Sequence, residues 1–267
     1  MNPFYIVRRA AVLAGAAGVA LVTVAGPAAA QTLAQRVAKV RDGTVRMSFA
    51  SRPEVCGNGR GNISTGGGRN RGSNRHEWED DCEYGPVRVA IDIATGQVIA
   101  VRTYVGGRWT AGASTTDLGL VGTREATDFL LGTVAHGSGK GAEQAIFPTT
   151  IADGVVVWPR LLEIAKDDSH EKATRKEAVF WVSQAAGEKA TAGLAEIVGD
   201  KSADTDVRIQ AVFALSQRPK DEAVPALLNV AQNNRDPKIR KQAIFWLGQS
   251  NDARAMAYFE RILTSKQ

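Results

Sequence analysis

Arg175-Lys176-Glu177-Ala178-Val179-Phe180-Trp181-Val182-Ser183-Gln184 returns as Arg208-Ile209-Gln210-Ala211-Val212-Phe213-Ala214-Leu215-Ser216-Gln217. It returns again as Arg240-Lys241-Gln242-Ala243-Ile244-Phe245-Trp246-Leu247-Gly248-Gln249. Arg, Ala, Phe and Gln recur at intervals of 33 and then 32 residues. A period in that range marks stacked helix pairs, each too small to bury its own apolar face. The register extends upstream to Gln144-Ala145-Ile146-Phe147, and a second row runs through Leu161, Leu194, Leu227 and Phe259. Ile164, Ile197, Val230 and Ile262 accompany that second row.

The rows predict a mainly α chain: an α-solenoid of about four helix pairs plus a final helix over residues 122–267. First helices fall near 158–166, 190–199, 222–232 and 252–264, and second helices near 173–186, 205–217 and 237–249. Asp236-Pro237 supplies an N-cap followed by proline at the first helical position, and Asp204 stands at the matching place one repeat earlier. Thr123 is the expected cap of the opening helix, with Glu125 in its first turn. The glycines at 137, 139 and 141 make the opening repeat the most irregular.

Residues 31–121 read as a smaller β-rich module. Leu33, Val37 and Val40 are spaced for a short helix. Val45, Met47 and Phe49 alternate as in a half-buried strand. Residues 86–93 and 97–104 read as a hairpin joined at Ala94-Thr95-Gly96. These make a small antiparallel sheet of three strands, with Gly106 to Leu118 as loop. Residues 57–81 form a long Gly/Arg-rich loop with too little apolar surface to offset its ordering entropy.

Residues 1–30 have the layout of a signal peptide: Arg8-Arg9, an apolar stretch from Ala10 to Gly26, then Ala28-Ala29-Ala30. The expected location is therefore exported, periplasmic or extracellular, with no membrane span after signal cleavage. Losing the two arginines lowers the formal charge from +5 to +3. That is no footprint for nucleic acid. Cys56 and Cys82, the only cysteines, are expected to form a disulfide in an oxidising compartment.

On the second helices, Ala211, Val212 and Leu215 mark the core face, and Phe213 lies about 200° round from Ala211. Phe180, Gln184, Phe213, Gln217, Phe245 and Gln249 therefore form a candidate partner-binding stripe. Two readings stay open. The stripe is a peptide groove, or it is a second packing surface between repeats. Arg175, Asp204, Arg208, Asp236 and Arg240 form an alignment row, pairing along each helix or reaching to the next repeat. Chemistry is poorly represented. No GxSxG elbow, phosphate loop or EF-hand spacing is present.

The Asp-x-x-x-Arg-x-x-Ala run of residues 204–211 and 236–243 resembles HEAT repeats, particularly the short type found in phycobilin lyases. The resemblance covers about residues 123–267 and implies a right-handed stack of helix pairs used to hold other proteins. Deoxyhypusine hydroxylase carries a similar helix with His-Glu placed for two irons. Here the corresponding pairs are Lys176-Glu177, Ile209-Gln210 and Lys241-Gln242, so neither metal nor cofactor is expected. His170-Glu171 and His76-Glu77 fall in a turn and in the loop. The expectation is a non-enzymatic scaffold with a protein partner. The alternative is a ligand-binding or minor enzymatic module in residues 42–121 that uses His76, Trp78 and the acids Glu77, Glu79, Asp80 and Asp81.

Overall fold

Alternating valines and isoleucines make the central strands. β1 (Gly43–Phe49) sends Val45, Met47 and Phe49 fully inside. β5 (Val87–Ala94) and β6 (Gln97–Val105) form the expected hairpin. Its turn places Thr95 and Gly96 at positive φ, 52° and 79°, the backbone that a two-residue turn between twisted strands needs. Asp42 holds the turn by accepting from the Thr95 N–H at 2.8 Å. The computed structural model describes residues 31–65, 82–110, 112, 114–184 and 188–264. The expected signal peptide and residues 66–81 of the loop lie outside the described residues.

The antiparallel arrangement β6-β5-β1 is extended by a fourth strand, β7 (Thr115–Leu120), which lies parallel to β1. The expected loop from Gly106 to Leu118 thus ends in strand residues. Thr-Thr-Asp-Leu-Gly-Leu offers only Leu118 and Leu120 as apolar residues and buries no side chain fully, so its place comes from backbone pairing with β1. A second small sheet joins β2 (Cys56–Gly57), β3 (Ile63–Ser64) and β4 (Glu83–Tyr84) in the order β3-β2-β4. Residues 57–65, read from sequence as the start of a disordered loop, are thus partly paired. Cys56 and Cys82 are disulfide-bonded, with Cα atoms 5.3 Å apart.

The short helix α1 (Leu33–Val37) is closed by a capping box between Thr32 and Gln35. It docks through the Leu33 N–H, which donates to Glu125 Oε1 at 2.7 Å. Glu125 belongs to α2 (Thr123–His136). The cap position of α2 is Gly122, with no side-chain capping bond; Thr123, the expected cap, is already helical. α3 (Gly139–Gln144) and α4 (Ile146–Thr150) then break the upstream copy of the repeat at Ala145.

Regular pairs follow: α5 (Trp158–Lys166) with α6 (Lys172–Ser183), α7 (Glu188–Gly199) with α8 (Thr205–Ser216), and α9 (Lys220–Asn233) with α10 (Pro237–Gln249). The last helix is α11 (Ala253–Thr264). Leu161, Leu194 and Leu227 are buried, as the second row requires.

Thr32–Gln267 is one compact unit, and one apolar core runs from Leu33 to Tyr258. The sheet and the helices meet at the β6 edge. There α3 comes so close that a Cβ on Gly141 would lie 2.4 Å from the Val98 carbonyl oxygen. Gln144 Oε1 accepts from the Val101 N–H at 3.0 Å. The edge strand is thereby covered and partly satisfied. Among the described residues, no helix is long and apolar enough to cross a membrane.

Candidate functional site

The repeating Ala and Val positions of α6, α8 and α10 face the core: Ala178, Val179, Ala211, Val212 and Ala243 are fully buried. Stacking α6 on α8 and α8 on α10 aligns their opposite faces. The candidate stripe is therefore assembled, but its residues differ in role. Phe180 and Phe213 are half-buried, whereas Phe245 is 53% exposed.

For Phe213 the cause is a residue that the repeat rows do not single out, the tryptophan after the phenylalanine of the next repeat. Phe147 meets Trp181 of the next repeat at 5.0 Å with the rings tilted by 31°, and Phe213 meets Trp246 at 5.2 Å with a tilt of 52°. Position 214 holds alanine, and Phe180 meets Trp181 of its own helix edge-on at 5.1 Å. α10 is the last second helix among the described residues, and the Phe245 ring meets only its own neighbour Trp246 in such a ring contact, at 5.0 Å. The packing reading thus fits Phe213, and exposure fits Phe245. Gln184 and Gln217 are exposed and donate to Ser183 Oγ and Ser216 Oγ, each at 3.0 Å; Gln249 is exposed.

The arginine row runs between repeats. Arg175 pairs with Asp204, and Arg208 with Asp236 at 3.1 Å, each carboxylate standing at the start of the following second helix. Both arginines are buried. Arg208 Nε also donates to the Val198 carbonyl at 3.1 Å. Arg240 turns instead to the carbonyls of Asn234 and Arg235 at 2.9 and 3.0 Å. Asp236 caps α10 by accepting from the Lys238 N–H. That bond above all, with Arg208 adding to it, holds the carboxyl below its ordinary range. A hollow of about 560 Å³ lies beside Arg208, Asn234 and Asp236. Those three groups are engaged with one another, which gives them a structural role.

Where the solenoid meets the β module, two hollows of about 390 Å³ each share Glu143 and Glu177. The first is lined by Ile63, Val101, Thr103, Gln144 and Phe147 as well. The second continues along the stripe through Lys176, Phe180 and Gln210. Glu177 Oε1 accepts from Trp181 Nε1 at 2.7 Å. Burial pushes the Glu177 carboxyl above its ordinary range; the Trp181 bond opposes that rise and the nearby Glu143 adds to it. Among the described residues, neither carboxylate has a lysine, arginine or histidine within ion-pair distance. Glu177 stands in the repeat row with Phe180 and Gln184. Glu143 has no such signal, because α3 belongs to the broken repeat.

His170 faces Asp167 at 3.8 Å, and Glu171 accepts from the Gly139 N–H at 2.9 Å. His76, Glu77, Trp78, Glu79, Asp80 and Asp81 lie outside the described residues. Among the described residues, no group of three or more His, Cys, Asp or Glu is placed to hold a metal ion. No curated protein matches this chain. Residues 200–267, covering the end of the solenoid from α8 to α11, match the family of HEAT repeats, and the disulfide-containing module lies N-terminal to them.

Proposed function

We propose that this chain is a non-enzymatic, exported scaffold that holds a protein partner on the face formed by its second helices. The observation that carries the reading is the in-register stacking of α6, α8 and α10. It turns one helix face into a continuous surface, with exposed Gln184, Gln217, Phe245 and Gln249 along it. HEAT repeats serve protein interaction in general, and residues 200–267 match them. Export is supported by the layout of residues 1–30 and by a disulfide, which persists best in an oxidising compartment.

The test is crosslinking from an envelope fraction with the mature chain, alongside Phe245→Asp and Gln217→Asp. The expected result is a partner captured by the parent chain and lost from both variants. Capture indifferent to both substitutions, or turnover of a small molecule by the purified chain, overturns the reading.

A second reading, a ligand-binding module in residues 42–121, draws on the Arg46 guanidinium lying 4.5 Å from the centre of the Trp109 ring. Deleting residues 66–81 leaves the disulfide in place. A partner held by the helices stays bound to the shortened chain, whereas a site built on His76 and Trp78 is lost.

A further inference from the structure

We propose that the two adjoining hollows receive an extended segment of the partner protein, through a lysine or arginine side chain held between Glu143 and Glu177. The inference rests on the scaffold reading and gives it a chemistry. Among the described residues, the first hollow holds two carboxylates and no cation. Phe147 forms an aromatic wall with Ile63 and Val101 beside it, its ring tilted against Trp181 at 5.0 Å. Carboxylates beside aromatic rings are the surroundings that a guanidinium or ammonium group favours. A neutral or acidic side chain there would leave two neighbouring carboxylates uncompensated, at a cost that rises with burial.

The backbone at the same place favours an extended ligand. β6 is the outer strand of its sheet. Its Val101 N–H is taken by Gln144, and its Val105 carbonyl by the Gly59 N–H at 2.9 Å. Alternate residues of a strand present their polar groups to the same side, so Thr103, between those two, presents its own to this edge. Thr103 lines the hollow. With α3 covering the edge as far as Val101 and Gly59 holding Val105, a segment that passes β6 gains main-chain hydrogen bonds at Thr103, beside Glu143 and Glu177. Onward, the second hollow leads past Phe180 to Gln210 on α8. That joins the charged end to the repeat stripe.

The experiment titrates the mature chain, disulfide intact, with two capped pentapeptides that differ only at the centre: Ala-Val-Arg-Val-Ala and Ala-Val-Gln-Val-Ala. The readout is calorimetry, with sedimentation of the same samples. The expected result is binding of the arginine peptide at least tenfold tighter than the glutamine peptide. Glu143→Gln and Glu177→Gln should each remove about tenfold of that preference. Glu177→Gln keeps an acceptor for Trp181 Nε1, so folding is preserved. Equal binding of the two peptides, absence of binding, or a preference unmoved by both substitutions overturns the proposal. So does a dimer of the peptide-free chain that Glu177→Gln dissolves, since the hollow would then belong to a second copy. Loss of this preference with partner capture still sensitive to Phe245→Asp leaves the scaffold standing, whereas loss of both removes it.

Discussion

Two buried glycines with little room around them differ in what that closeness costs. At Gly141 an added Cβ would sit 2.4 Å from a backbone oxygen of β6, which cannot retreat without moving the sheet edge. At Gly193 in α7 the nearest atoms are the end of the Leu162 side chain, at 2.4 and 3.0 Å. Gly141→Ala is expected to lower unfolding stability by about 1–3 kcal/mol through forced backbone shifts. Gly193→Ala gains up to about 1 kcal/mol of helix propensity, which repacking of Leu162 offsets, for a net change near zero. Urea denaturation of the two variants measures the difference. From sequence the glycines at 137, 139 and 141 marked only irregularity. The need for Gly141 comes from β6, more than 40 residues away in the chain, and no local pattern carries that.

Between elements, the buried arginines tie each second helix to the next. Arg208→Ala removes the donor to the Val198 carbonyl and the partner of Asp236, and is expected to cost about 2–4 kcal/mol. Arg240→Ala touches only carbonyls of its own turn and is expected to cost less than half as much. Chemical denaturation of the pair checks the ranking. The helix-start acids also predict an acid limb. Asp236 and Asp252 have lowered carboxyl pKa values. That of Asp252 falls to about 2, chiefly through the hydrogen bond from Arg254. A carboxyl whose pKa is lower in the folded chain adds stability above its unfolded pKa, near 3.8. That stability is lost as pH falls from there toward about 2. Thermal unfolding should therefore show a falling melting temperature across that window, with a smaller fall in Asp252→Asn.

At the scale of the molecule, the β module and the solenoid share one core, with Leu33 of α1, Phe49 of β1 and Leu130 of α2 all inside it. Removing residues 31–121 takes α1 away from α2 and β6 away from α3. Such a shortened chain is expected to lose the cooperative unfolding of the parent, seen as a broadened urea transition by circular dichroism. An unchanged midpoint would mean that the helices stand alone. Reduction of Cys56–Cys82, which closes a separation of 26 residues, is expected to lower stability by about 3–4 kcal/mol in the chain-entropy account.

Periodicity alone determined the helical pairs, their order and the face each turns inward, because a 33-residue repeat of Leu, Ala and Phe leaves few other ways to bury that surface. Pairing of β7 with β1, the seat of α3 on β6, and the meeting of Glu143 with Glu177 were decided only by tertiary structure. Each joins segments from different elements with no shared period, and their closeness follows from the stacking of whole elements.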